Sequence, residues 1–90
     1  MPDTTRKYRI YHYDIYKGYE LVEELNIRNT YEPVFWKRPM PKIGDKRCKK
    51  ILKKIHPWFD ADSVPVLIED VETGFKHTQN LYRNGTIITG

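Results

Sequence analysis

Nine lysines and arginines fall between residues 37 and 54: Lys37, Arg38, Lys42, Lys46, Arg47, Lys49, Lys50, Lys53 and Lys54. One acid, Asp45, lies among them, so this stretch carries +8 while the whole 90-residue chain carries +4 and the remainder −4. A basic block on an acidic body points to an anionic partner. The commonest chemistry such a block performs is contact with phosphate oxygens, because a stripe of cations along a backbone releases condensed counterions. Most of the cations are lysine, which meets phosphate as a point charge and lacks the planar fork with which arginine reads guanine. The pattern therefore predicts nucleic-acid binding, DNA or RNA, that is largely indifferent to base sequence.

A second group bears on the same chemistry. Six of the seven tyrosines lie between Tyr8 and Tyr31. Aromatic rings on an open sheet face stack unpaired bases, and Tyr11, Tyr13 and Trp36 are the candidates here. The competing role for each ring is filling the core of a small sheet. The basic stretch has bland roles too: a solvated helix face, or cations neutralised within the fold by Glu20, Glu23, Glu24 and Glu32 or by Glu69, Asp70 and Glu72. Against simple solvation stand three like-charge i,i+4 pairs, Lys46–Lys50, Lys49–Lys53 and Lys50–Lys54, each costing ~0.2–0.5 kcal/mol.

Other chemistry is poorly represented. His12 and Asp14 share a strand face, but two residues at i,i+2 lack the third member of a metal or acid–base site. Asp60 and Asp62 lack the remaining ligands of a calcium loop. Cys48 stands alone, which removes an internal disulfide and a cysteine-based zinc site, and it is expected on the buried side of a helix as a small hydrophobe. No glycine-rich phosphate loop is present. The expectation is a non-enzyme with no metal and no cofactor. The alternative to nucleic acid is a non-catalytic protein–protein interaction domain, an inhibitor or accessory subunit docking an acidic protein surface through the same face. A self-associating domain, with the acidic remainder of one copy on the basic helix of another, is a third arrangement.

The elements that must position these groups follow from periodicity. Residues 1–5 read as a flexible tail. Arg6–Ile15 and Tyr19–Ile27 read as strands joined at Lys17-Gly18, with a helix over Leu21–Arg28 as the competing reading of the second. In the second, Tyr19, Leu21, Glu23, Leu25 and Ile27 alternate onto one side, with Glu23 interrupting an apolar face. Residues 33–37 read as a third strand and 37–44 as a proline-containing basic linker. A helix over about 45–56 is predicted with Asp45 as N-cap, His56-Pro57 as its end, and Cys48, Ile51, Leu52 and Ile55 on its apolar side. Trp58 and Phe59 are expected to fold back on the core. Val64–Asp70 reads as a strand, with Pro65 suggesting an edge position. Phe75–Arg83 returns after Glu72-Thr73-Gly74. Asn84-Gly85 predicts a type I′ hairpin into a last strand at Thr86. His77 is expected to be exposed. The order β-β-β-α-β-β-β gives a single α+β domain over residues 1–90, a small antiparallel sheet of about five to six strands on one basic amphipathic helix. No apolar run approaches a membrane span and no secretory signal is visible, so the expected location is cytoplasmic, with no membrane partner.

Overall fold

The computed structural model describes residues 4–29, 41–58 and 60–88. In chain order these form β1 (Thr4–Asp14), β2 (Gly18–Asn29), β3 (Lys42–Ile43), α1 (Asp45–Ile55), β4 (Ser63–Asp70), β5 (Lys76–Tyr82) and β6 (Thr86–Ile87). The long strands make a four-stranded antiparallel sheet in the order β2-β1-β4-β5, and β3 and β6 make a two-stranded ribbon. The α+β class is as the sequence implies, and the strand order only roughly so, since β3 falls within the predicted linker and the strands divide into two sheets.

Both long hairpins are closed by the same device. Asp14 ends β1, and its carboxylate accepts the amides of Tyr16 and Lys17 at 2.7 and 3.3 Å. Asp70 ends β4 and accepts those of Glu72 and Thr73 at 3.0 and 3.4 Å. Four residues after each aspartate stands a glycine in the left-handed region, Gly18 at φ 77° and Gly74 at φ 76°. The aspartate satisfies amides that the turn would otherwise leave open, and the glycine supplies the one positive φ without steric cost. Asp14 is thus committed to its turn rather than to chemistry with His12.

One face of the large sheet is covered by α1 and the β3–β6 ribbon. Tyr8 and Ile10 of β1, Leu25 and Ile27 of β2, Val64, Val66 and Ile68 of β4 and Leu81 of β5 meet Cys48, Ile51 and Leu52 of the helix, with Ile43 and Ile88 from the ribbon. These are the period-2 and period-3.6 positions that bring apolar side chains to one face. Cys48 ties helix to ribbon, its thiol 3.6 Å from the Ile43 carbonyl and 3.5 Å from the Thr86 hydroxyl. Burial pushes that thiol above its ordinary pKa, with the Thr86 hydrogen bond opposing, so it remains protonated and packs as a small hydrophobe.

A bulge in β2 breaks the simple alternation. Ile10 pairs with Glu23 but Tyr11 pairs with Leu21, leaving Val22 as the extra residue. Leu21 therefore turns to the open face and is 53% exposed, while Val22 packs against the core. One inserted residue reverses every side chain beyond it.

Several expectations are corrected. Thr4 and Thr5 belong to β1, paired with Asn29 and Arg28, rather than to a frayed tail. Lys42 and Ile43 are not linker: they pair with Ile87 and Thr86. Asp45 is the first helical residue; the N-cap is Gly44, with no side-chain cap bond. Trp58 is 83% exposed instead of folding back. β4 is an inner strand. Its ladder with β1 ends at Leu67, so Pro65, which lacks an N–H, sits beyond the region where β1 would need one. Asn84-Gly85 is not a type I′ hairpin, because only Gly85 has positive φ and β6 leaves β5 to pair with β3. The Thr86 hydroxyl holds that exit, accepting the Tyr82 amide at 2.7 Å and donating to the Tyr82 carbonyl at 3.1 Å. His77 is half-buried on the helix side, bonded through Nε2 to Gln79 at 2.6 Å. The predicted strand at 33–37 and the residue Phe59 lie outside the described residues.

The bulge makes two leucines of one strand unequal. Leu25→Ala is expected to destabilise by about 2–5 kcal/mol. Leu21→Ala is expected to stay within about 0.5 kcal/mol. Urea denaturation of both variants checks this, and equal losses would mean unbroken alternation.

Candidate nucleic-acid interface

The helix is where most of the predicted cations come together. Lys46, Arg47, Lys49, Lys50, Lys53 and Lys54 are all exposed on α1, opposite its buried Cys48, Ile51 and Leu52. Lys42, also exposed, lies just before it on β3. Lys37, Arg38 and Trp36 lie outside the described residues.

The stripe divides into two flanks at 100° per residue. Arg47, Lys50 and Lys54 face β2, and each is engaged there. The Arg47 guanidinium donates to the Asn26 carbonyl at 3.2 Å. The Lys54 ammonium donates to the Val22 carbonyl at 3.3 Å and to the Glu23 carboxylate at 3.1 Å. Lys50 lies 3.6 Å from the same carboxylate. β2 is an edge strand, and the helix flank caps two of its carbonyls, which blunts the edge against pairing with another strand. Glu23, which interrupts the apolar alternation in the sequence, is the acid on which the helix seats.

Lys46, Lys49 and Lys53 occupy the other flank. Among the described residues neither Lys46 nor Lys53 has an ion-pair partner, and Lys49 has only Asp45 of its own helix, at 3.8 Å. No acid of the large sheet pairs with this flank among the described residues. Beside it, a cleft between α1 and the two loops at its side is lined by Lys49, Leu52, Lys53, Asp60, Ala61 and Arg83. Arg83 was not anticipated. It lies 29 positions beyond Lys54 in the chain, and only the β5–β6 turn brings it to the helix.

The tyrosines are elsewhere. Tyr11 and Tyr13 stand on the sheet face away from α1, Tyr11 between Leu21 and Leu67 and Tyr13 edge-on to Tyr19 with centroids 5.2 Å apart. Tyr13 is 56% exposed. The Tyr11 hydroxyl donates to Glu69 at 2.9 Å, and that bond, foremost, raises its pKa. The basic flank and these rings are thus separated by the thickness of the sheet and do not form one surface.

Glu23 is pushed up by burial, but the hydrogen bond from Lys54 and the charges of Lys54 and Lys50 outweigh that and hold it below the usual glutamate range. Its side chain is 19% exposed. A carboxyl depressed in the folded state contributes stability above its unfolded pKa of about 4.3 and loses it as pH falls through the folded value.

The sequence matches no protein-family model, no curated protein and no solved structure. Among the described residues no helix is long and apolar enough to cross a membrane, and no group of three His, Cys, Asp or Glu is placed to hold a metal ion.

Glu23→Gln is expected to lower stability at neutral pH by up to about 1 kcal/mol. The gap between variant and parent should close as pH falls below about 4. Urea midpoints between neutral and acid pH measure this; a gap that persisted in acid would detach Glu23 from the helix charges.

Proposed function

We propose that this chain binds the phosphate backbone of nucleic acid, with little dependence on base sequence, through the outer flank of α1. The observation that supports the reading is the flank of Lys46, Lys49 and Lys53, which no acid of the sheet offsets among the described residues and where only Lys49 has a partner, Asp45 of its own helix. Lys46 to Lys53 spans about 10 Å of helix, the axial length of about three phosphates of one strand. Lysine ammoniums suit those oxygens as freely rotating donors and carry no base preference. Arg47, Lys50 and Lys54 add to the field but are held by β2. Lys42 extends the basic surface from the ribbon, and Lys37 and Arg38 precede it in the chain.

Binding of random oligonucleotides, followed by fluorescence anisotropy, is expected in the micromolar range at low salt. Its log–log salt slope should lie near −2 to −4, as about three to four phosphates require. Lys46→Glu/Lys49→Glu/Lys53→Glu is expected to abolish binding while leaving the thermal midpoint within a few degrees of the parent. Lys50→Glu/Lys54→Glu, which places acids beside Glu23, should instead lower the midpoint. Comparing single-stranded and duplex DNA and RNA in the same assay identifies the preferred form. Absence of binding at low salt, or undiminished binding by the folded triple variant, overturns the reading; the first result favours an acidic protein surface as the occupant.

A further inference from the structure

The basic stretch is contiguous in sequence, but its free flank is completed by a residue from outside it. Arg83 sits at the end of β5, its amide donating to the Asp62 carbonyl at 2.9 Å. The next turn is closed by the Gly85 amide on the Tyr82 carbonyl at 3.3 Å. The first bond holds the start of the β5–β6 turn against the loop that follows the helix, and the second closes the turn itself. The result is the cleft that Lys49 and Lys53 share with Arg83, where Leu52 and Ala61 supply apolar wall and Asp60 the one acid.

Three cations and one carboxylate leave this cleft with a formal +2. Lys49 and Lys53 are a like-charge i,i+4 pair, and the fold adds a guanidinium beside them. Among the described residues, Lys53, Arg83 and Asp60 make no ion pair with one another or with any other group. A guanidinium offers paired donors to two oxygens of one tetrahedral anion, and two ammoniums add rotatable donors. The apolar wall lowers the local dielectric, which strengthens attraction for an anion that enters.

We propose that the cleft seats a single phosphate group, held by Arg83, Lys49 and Lys53. Where that phosphate belongs to a polynucleotide, this rests on the function proposed above, and it makes Arg83 an anchor that sets where the strand crosses the helix. The strand then runs from Lys46 past Lys53 towards the β5–β6 turn, away from β2. Asp60 opposes the anion, so its neutral amide tightens the site.

The test uses the full chain and two probes, inorganic phosphate and a random single-stranded oligonucleotide, followed by amide NMR shifts. Phosphate is expected to move the amides of Lys49, Lys53, Ala61 and Arg83 with millimolar midpoint while those of Glu23 and Asn26 stay still. The oligonucleotide should move the same cleft amides. Arg83→Ala is expected to weaken both probes about 5–10-fold and to reduce the salt slope by about 1. Arg83→Lys, which keeps the charge without the fork, should recover part of the loss, and Asp60→Asn should tighten phosphate about 2–3-fold. Unmoved cleft amides with phosphate, or an Arg83→Ala variant that binds phosphate like the parent, overturns the cleft as a phosphate seat. If the oligonucleotide still binds in that case, the helix reading survives without it. If phosphate binds and the oligonucleotide does not, the seat stands and the polynucleotide reading falls.

Discussion

The extra residue in β2 governs how the helix meets the sheet. Strict alternation from Leu25 would carry Glu23 and Leu21 to the same face and leave Val22 outside. With Val22 inserted, Glu23 stays opposite Ile10 while Leu21 moves to the open face beside Tyr11. Glu23 keeps the helix-side place that alternation gives it, with its carboxylate within reach of Lys50 and Lys54, and the inserted Val22 has its carbonyl within reach of Lys54. A bulge also sharpens local twist, and here it sits where the edge strand passes under the C-terminal half of α1. The helix is consequently seated by apolar contact beneath and by charge along one side only.

That one-sided seating explains how a single run of cations divides into two flanks. The repulsion between Lys50 and Lys54 is offset because both face one carboxylate. Nothing comparable lies beside Lys46 and Lys53. Exposed ion pairs contribute about 0–1 kcal/mol each, so the β2 flank is not what holds the fold together; the apolar cluster around Ile10, Ile51 and Ile68 does that. The buried stripe of Cys48, Ile51 and Leu52 sets the rotation of the helix, and the pairs follow on the side nearest β2. With Arg47 and Lys54 bonded to β2 carbonyls, the remaining cations can point only towards solvent and the β5–β6 turn.

The helix, its apolar side and the paired strands were legible because their periodicities are long and consistent: Cys48, Ile51 and Leu52 repeat with the helix, and Val64, Val66 and Ile68 with the sheet. What sequence reasoning missed was set by contacts between distant segments. The Val22 bulge leaves no local mark. Asn84-Gly85 carries a hairpin signal, yet Thr86 binds both backbone groups of Tyr82 and directs the chain to Lys42-Ile43 instead. The two-residue strand at Lys42-Ile43 is too short for any alternation to show between prolines and a glycine. Of the candidate site, the cations on α1 were identifiable from charge alone. Their division into two flanks and the arrival of Arg83 required the register of β2 and the path of β5. The repeated Asp-x-x-x-Gly at both hairpins was present in the sequence as a signal and is recognisable once its role in holding turn amides is seen.

The acids of this chain outnumber the cations outside the basic stretch, so the absence of wider neutralisation has to come from where those acids sit. Glu24, Arg9, Glu69 and Lys76 stand opposite one another across β2, β1, β4 and β5 on the open face, with Arg9 3.1 Å from Glu24 and 3.9 Å from Glu69 and Lys76 3.8 Å from Glu69. Lys7 joins Glu24 at 2.7 Å, Asp70 takes Arg6 at 3.0 Å and Glu20 takes Lys17 at 3.6 Å. Opposite charges directly across a ladder stabilise the pairing, and the sheet uses its acids for that purpose. On the open face Glu24 and Glu69 are thus both engaged by the sheet's own cations, and hydrogen bonding to Lys7 and Arg9 holds Glu24 below the ordinary glutamate range. Among the described residues Glu23 is the one sheet acid that pairs with the helix cations. Strand pairing thus engages most of the sheet's acids with the sheet's own cations and leaves few for the helix. On the helix side this leaves the ammonium groups of Lys46 and Lys53, which no acid shares among the described residues.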